Sequence, residues 1–323
     1  FRIEHAQCVS FDEEWKRILS QLNELPARDL LRAHTHFGHW MGTAISEFIT
    51  THQLEHKVHL IASHGHTVFH EPGRGMTFQM GDGAAIAAST KLPVVSDLRN
   101  MDVALGGQGA PIVPIGEKFL WPANTFFLNI GGIANISYHG GLHHVAFDIC
   151  PANRMLNSLS NAIGNDFDID GMEAAKGKIN ESLLDALNAL PYYRLPFPKS
   201  LANEFGTQEV QSIVERYSIS VQDKLRTVCE HIAMQVQFAV QNISKESIEQ
   251  HSMMITGGGA FNRFLVQCIK EKVKALQVQI HIPEATLVQY KEALVMGFIG
   301  VLRWREEVNV LASVTGASRN SVG

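Results

Sequence analysis

Two short apolar runs in this chain end in uninterrupted glycines, and a chain with that pattern has few folds open to it. Met253–Thr256 is followed by Gly257-Gly258-Gly259, and Phe126–Ile130 by Gly131-Gly132. Each run has strand length and composition, and glycines at a strand end permit sharp turns and close backbone approach. The second run continues into Ile133–Tyr138 and Val145–Asp148 through Gly140-Gly141, which reads as a meander of hairpins. The first leads into a helical pattern, then a strand at Val278–Ile282 and a helix at Glu292–Trp304. Strand and helix blocks mixed in this way indicate α/β layers in two lobes. The division is expected near residue 122, giving lobes 1–122 and 123–323, with the last helix a candidate to return to the first lobe.

The rest of the chain supports that class. Ser10-Phe11-Asp12-Glu13 reads as a capping box opening a helix, and a second helix is expected from Asp29. Val58–Ala62, Met76–Met80 and Pro93–Ser96 read as strands, with a short helix over Ala84–Ser89. Asn153 to about Ala189 reads as helical, Pro191–Pro198 as a loop, and Leu225, Val228, Ile232, Val236 and Val240 mark a long amphipathic helix. Of the 323 residues, 45% are apolar and 18% charged, enough for a substantial core, and the net charge of −5 excludes a general affinity for nucleic acid or an anionic membrane. The longest nearly apolar run, Leu294–Leu302, is nine residues, whereas a membrane span needs about 20. Cys8, Cys150, Cys229 and Cys268 form no C-x-x-C pair, so a soluble cytoplasmic protein is expected.

The glycine motifs admit two readings each. Gly257-Gly258-Gly259-Ala260-Phe261-Asn262 is a tight strand–helix turn or a ligand-facing backbone; no lysine makes it a P-loop, and it is not G-x-G-x-x-G. Asn129-Ile130-Gly131-Gly132 is an ordinary hairpin or a backbone nest for phosphate. Together they point to a nucleotide site of another architecture. Asp148, before Pro151 and Asn153, is placed to act as a base at a strand end, although position alone favours a helix cap or turn. Asp168 and Asp170 read as solvated turn residues, with Mg²⁺ or sugar contact as the sharper option. Ser63-His64-Gly65-His66-Thr67 and Gly81-Asp82-Gly83 end strands where α/β sites form. Arg99, flanked by Asp97 and Asp102, suits a sugar or carboxylate, or else a surface ion-pair cluster. The 16 histidines raise the question of a metal, but neither His34, His36 and His39 nor His64, His66 and His70 has zinc-site spacing.

Taken together, the segments from Val58 to the C-terminus resemble the anhydro-N-acetylmuramic acid kinases. The resemblance rests on Ala62-Ser63-His64-Gly65, Gly81-Asp82-Gly83-Ala84, Asp97-Leu98-Arg99, the run from Asp102 to Pro111, the Asn129 and Gly257 motifs, Pro198-Lys199-Ser200, Lys291-Glu292-Ala293 and Thr315-Gly316-Ala317. It implies a two-lobed actin/hexokinase-like, ribonuclease H-like kinase fold, with ATP and sugar between the lobes. It implies that ATP, with Mg²⁺, drives hydrolytic opening of the 1,6-anhydro sugar and phosphorylation of its 6-oxygen, a step in peptidoglycan recycling. The implied base is Asp148. The implied nucleotide residues are Asn129, Gly131, Gly132, Gly257, Gly258, Gly259, Asn262 and Glu292. The implied sugar residues are His64, Thr67, Asp82, Arg99 and Asp102, with no metal-ligating side chain assigned. The partners expected are ATP and a small amino sugar, with no nucleic acid, no membrane and a possible homodimer.

Three departures accompany the resemblance. Asp-Thr-Gly-Pro-Gly-Asn in the family stands here as Asp148-Ile149-Cys150-Pro151-Ala152-Asn153, so two glycines are replaced. Thr-Gly-Arg-Glu stands as Leu201-Ala202-Asn203-Glu204, without the arginine. The chain begins at Phe1, and the family's opening strand and Gly-Thr-Met-Ser-Gly-Thr-Ser-Leu-Asp-Gly phosphate loop are expected ahead of it. These departures keep two alternatives in view: a degenerate member that binds sugar or nucleotide without transfer, and a related kinase acting on another sugar.

Overall fold

A computed structural model describes residues 1–140, 143–197, 199–201, 205–243 and 250–323. Gly141, Pro198, Ala202, Asn203 and Glu204 of the motifs above lie outside the described residues. The chain forms two units, Phe1–Leu120 with Glu292–Gly323, and Trp121–Lys291.

The first unit opens with helices α1 (Glu13–Ser20) and α2 (Ala27–Thr51). The cap of α1 is Asp12, whose carboxylate accepts from Trp15 N at 2.8 Å, so the capping box expected at Ser10 does not form. Trp15 and Phe37 meet edge to face at 5.0 Å and form a small core with Leu22 and Met80. Strands β1 (Ile61–Ala62), β2 (His66–Glu71) and β3 (Met76–Met80) follow, then α3 (Gly83–Thr90) and β4 (Val94–Val95). The longer strands expected at 58–62 and 93–96 contract to a parallel two-residue pair of β1 with β4, while β2 and β3 pair as an antiparallel hairpin. Glycine sets the packing of α2 on α3. A Cβ at Gly38 would stand 2.6 Å from Asp82 O, and one at Gly42 2.5 Å from the Ser89 Cβ. Helices α4 (Asn100–Ala104) and α5 (Pro114–Leu120) close this stretch.

The second unit is built on a five-stranded sheet: β5 (Phe126–Ile130), β6 (Ile133–Gly140), β7 (His143–Pro151), β8 (His251–Thr256) and β9 (Val278–His281). Their order is β7-β6-β5-β8-β9, with β6 antiparallel to both neighbours and β8 and β9 parallel to β5. In the sheet's own numbering this is 3-2-1-4-5 with the second strand reversed, the ribonuclease H-like arrangement that the resemblance implies. Phe126, Phe127, Leu128 and Ile130 are all buried, as a central strand covered on both faces requires. The connection from β7 to β8 holds α6 (Asn153–Asn161), α7 (Met172–Lys176), α8 (Glu181–Asn188), α9 (Gln211–Glu215) and α10 (Val221–Ile243). The stretch from Asn153 to Ala189 is therefore several short helices. One break holds Gly164, Asp170 and Gly171, all with positive φ, and a second falls at Gly177 after α7. Helix α11 (Arg263–Lys274) links β8 to β9. Leu225, Val228, Ile232, Val236 and Val240 of α10 are buried in the core formed with this sheet.

Helix α12 (Ala285–Trp304) begins seven residues before the expected Glu292, and the division between units falls within it. Among the described residues it is the one helix long and apolar enough to cross a membrane, with mean hydropathy 1.3 and 39% of that window buried. Part of it is core: Val295 lies against Gly116, and Gly300 against Ala62. Helix α13 (Ala312–Thr315) completes the first unit.

Candidate functional site

His64 follows β1, and its ring is fixed at both nitrogens. Nδ1 lies 2.9 Å from Gly65 O, and Nε2 lies 2.8 Å from Arg99 Nε. A carbonyl only accepts and a guanidinium only donates, so the ring is the neutral tautomer with its proton on Nδ1. Burial, then the adjacent Arg99 charge, push the His64 pKa below its ordinary value, in keeping with that assignment. Arg99 also donates from Nη1 to Gly109 O at 2.6 Å. The flanking aspartates look elsewhere: Asp97 accepts from Ser96 and Asn100, and Asp102 from Gly109 N and the Thr315 hydroxyl. The surface ion-pair cluster is not what forms. Asp102 is 1% exposed with both oxygens engaged, so it holds the 106–109 loop and does not face solvent. Asp82 caps α3 by accepting from Ala84 N at 2.9 Å, and exposed Thr67 lies on β2, 3.5 Å from Gln79 Nε2.

Glu292, grouped with the nucleotide residues by the resemblance, belongs to the first unit. Burial lowers the pKa of both His64 and Arg99, and the negative charge of Glu292 partly opposes that shift at each. The structure thus brings His64, Arg99 and Glu292 together within the first unit. His34 and His39 serve packing: His34 Nδ1 accepts from Gly81 N, and His39 Nδ1 shares a hydrogen bond with Ser89. Among the described residues, no three His, Cys, Asp or Glu side chains gather around a common point.

Asp148 does not end its strand, because β7 continues to Pro151. Asn135 pairs with Asp148 and Ala134 with Cys150, so Ile149 is an extra residue, a β-bulge directly after the acid. Asp148 Oδ2 accepts from Leu201 N at 2.9 Å, its N–H donates to Lys199 O at 3.1 Å, and its carbonyl accepts from the Tyr192 hydroxyl at 2.7 Å. Burial raises the carboxyl pKa, and the Leu201 N–H opposes that shift. The helix-cap reading fails, since the cap of α6 is Ala152 without a side-chain bond. Asp168 is buried and accepts from Glu173 N and Ala174 N in the first turn of α7, and is not a solvated turn residue. Asp170 pairs with Arg263 at 3.3 Å on the surface.

The two glycine motifs meet because β5 and β8 are parallel neighbours, with Asn129 opposite Thr256. Gly257 has φ +81°, and a Cβ there would stand 2.6 Å from Asn129 Oδ1 and 2.7 Å from Ile130 O. The Gly131–Gly132 turn sits on the start of α6: Asn153 N donates to Gly131 O at 3.0 Å, Arg154 N to Gly132 O at 3.3 Å, and Asn153 Nδ2 to Ile130 O at 3.0 Å. A Cβ at Gly259 would collide with the Ile130 side chain, while Gly258 lies beside Asn153. Asn262 caps α11 by accepting from Leu265 N at 2.9 Å.

Against this geometry, the family model described as anhydro-N-acetylmuramic acid kinase matches residues 13–323. The chain belongs to that family. An anhydro-N-acetylmuramic acid kinase of Vibrio parahaemolyticus is 33% identical over 291 residues, covering 87% of this chain and 78% of the relative. One from Hydrogenovibrio crunogenus is 30% identical over 332 residues, covering 98% and 88%. Among solved structures, an activator of 2-hydroxyisocaproyl-CoA dehydratase from Clostridium difficile aligns with TM-score 0.40 at 16% identity, covering 72% of this chain and 86% of that one.

Within the anhydro-N-acetylmuramic acid kinase family, the two replaced glycines have a physical account. Cys150 and Ala152 are fully buried and neither has positive φ, so neither replaced glycine stands in the left-handed region. Motif reading missed Arg154. A Cβ at Gly132 would stand 3.9 Å from Arg154 Nε, so the guanidinium lies along the glycine turn. The signal was a cation in the first turn of a helix, where the dipole disfavours it. Motif reading also missed Tyr192, which reaches Asp148 from a 3-10 turn (Pro191–Arg194) within the stretch read as a loop.

Proposed function

We propose that this chain catalyses the reaction for which its family is named, using ATP to phosphorylate 1,6-anhydro-N-acetylmuramic acid with hydrolytic opening of its ring. The reading is carried by Asp148, a carboxylate on a bulged edge strand. One oxygen is held by Leu201 N–H, and the other has no hydrogen-bond partner among the described residues. Asp148 takes a proton from the water that attacks the anomeric carbon. The new bond joins water oxygen to C1, the C1–O6 bond breaks, and O6 attacks the γ-phosphorus as ADP leaves. The products are N-acetylmuramic acid 6-phosphate and ADP. Burial that raises the Asp148 pKa makes its carboxylate a better proton acceptor than an exposed one.

In this reading Arg99 and His64, with Glu292, receive the sugar, while Thr67 and Asp82 stand at neighbouring strand and helix ends. The close-packed glycines at 257–259 and 131–132, with Asn129 and Asn262, receive the nucleotide, and Arg154 adds positive charge at the turn. A Mg²⁺ ion in this reading would be carried on the nucleotide phosphates and kept partly hydrated. Such an ion neutralises phosphate charge during transfer. The reading assigns the protein to the cytoplasm, where ATP is available, and takes a homodimer from the resemblance.

The test is turnover of the purified protein with the anhydro sugar, ATP and MgCl2 in ¹⁸O-water. The expected product carries ¹⁸O at C1 and none in the phosphate. Label in the phosphate, ATP hydrolysis without sugar consumption, or turnover confined to another sugar would overturn the reading.

A further inference from the structure

We infer that Tyr192 and Lys199 form a clamp that positions Asp148 for catalysis, with Tyr193 anchoring the clamp in the core. The inference rests on the proposed role of Asp148 as the base. Strand β7 is the outermost strand of its sheet, so the backbone groups of Asp148 that point away from β6 have no neighbouring strand. Tyr192, Lys199 and Leu201 supply partners in its place. The Tyr192 hydroxyl donates to Asp148 O at 2.7 Å, Lys199 O accepts from Asp148 N at 3.1 Å, and Leu201 N donates to the carboxylate at 2.9 Å. Lys199 closes the loop, with Nζ donating to Tyr192 O at 3.1 Å and lying 4.6 Å from the centre of the Tyr192 ring.

The next residue points the other way. The rings of Tyr192 and Tyr193 are nearly perpendicular, at 83°. The Tyr193 hydroxyl lies 3.0 Å from Nε2 of His231 on α10, and His231 Nδ1 lies 2.7 Å from Asn188 Oδ1 on α8. Gln235 donates to the same Asn188 oxygen at 2.8 Å. Adjacent tyrosines therefore connect a buried network between two helices to the main chain at Asp148. A bulge at Ile149 loosens the sheet at this point, and the clamp supplies the hydrogen bonds that fix the strand there. Tyr192 and Lys199 are positioning residues, since they act through the Asp148 backbone and through the placement of Leu201.

The clamp has a signature that a general structural role lacks. If it loosens, Leu201 N–H leaves the carboxylate, which loses a bond favouring its ionised form. The acidic limb of the kcat/KM profile then moves to higher pH. The experiment compares Tyr192→Phe and Lys199→Met with wild type in the ¹⁸O assay, with KM for the sugar and full pH profiles. The clamp predicts a 10- to 100-fold loss of kcat in each variant, KM within about threefold, and the limb displaced upward. Wild-type kcat and an unmoved limb in both variants would overturn it, as would an equal loss at every pH with KM raised in parallel. Asp148→Asn is assayed beside them: if it retains turnover, the reading of Asp148 as base fails and the clamp with it. Loss there combined with unaffected Tyr192 and Lys199 variants rejects the clamp alone. Should Tyr192→Phe not fold, Lys199→Met decides by the same criteria.

Discussion

Thr315 donates its hydroxyl to Asp102 Oδ1 at 2.7 Å across 213 residues of sequence, and Gly109 N donates to Oδ2 of the same carboxylate at 2.7 Å. The pair ties the end of the chain to the loop that carries the Arg99 acceptor, Gly109 O. Thr315→Val keeps the shape and removes one donor from a carboxylate that is 1% exposed. A buried charged acceptor left without its donor costs about 1–3 kcal/mol. Urea unfolding should show a loss in that range with an unchanged m-value. A loss below about 0.5 kcal/mol would mean that the loop is held by other contacts.

Arg99 uses two edges of one guanidinium, Nε toward His64 and Nη1 toward Gly109 O. Lysine keeps the charge but cannot satisfy both partners in that plane. With Arg99 receiving the sugar, Arg99→Lys should raise the sugar KM about tenfold, equivalent to about 1.4 kcal/mol, and leave kcat within about threefold. Because Nε2 of His64 must accept, protonation of that ring opposes the Arg99 contact. Burial and Arg99 lower its pKa, so the wild-type sugar KM should stay flat through the ordinary histidine range and rise only at lower pH. Steady-state kinetics across pH check both expectations.

Arg154 lies along Gly132 at the start of α6, where the first N–H groups already donate to the carbonyls of Gly131 and Gly132. The helix terminus is thus engaged, and the side chain is the positive charge at the turn. Arg154→Gln should weaken ATP binding about tenfold by calorimetry while adenosine binding is unchanged. Equal loss for both ligands would point to folding, and no loss would remove Arg154 from the phosphate site.

What the sequence made legible was set by local spacing. Met76–Met80 has the expected boundaries because alternation between Gly75 and Gly81 marks both ends, and Phe126–Ile130 because its near-continuous apolar run stops at Gly131. What it hid depended on partners. The bulge at Ile149 exists only through pairing with Ala134 and Asn135, and the Thr315 partner of Asp102 lies 213 residues away in sequence. Helix α12 was legible in principle, since Val288, Val295, Ile299 and Leu302 recur at helical spacing; its polar first turns concealed its start. At the site, the motifs located strand ends, but the sharing of Glu292 with His64 and Arg99 depends on tertiary placement.

Asp148→Asn separates chemistry from stability. The amide oxygen can still accept from Leu201 N, but the side chain cannot take a proton from water. Removal of a general base costs about 10²–10⁴-fold in rate. The stability change has the opposite sign. Burial raises the folded pKa of Asp148 above its unfolded value, so the group lowers stability as pH rises through the folded pKa. At neutral pH the variant lacks that buried charge, and its Tm should equal or exceed that of wild type. A clear fall in Tm would show that Leu201 requires a full negative charge as its acceptor.

His231 should make this protein acid-sensitive. It is 1% exposed between Asn188 and Tyr193, and burial takes its pKa from 6.5 down to about 3. Between those values the unfolded chain binds a proton that the folded ring does not, so stability rises with pH there and is lost as pH falls below 6.5. Each pH unit in that window costs at most about 1.4 kcal/mol, which gives about 2 kcal/mol between pH 6.5 and 5. His231→Gln retains a donor and an acceptor without a titrating ring. Urea unfolding of both proteins at pH 7 and pH 5 should show wild type losing about 2 kcal/mol more than the variant. Parallel losses would mean that the acid response comes from other groups.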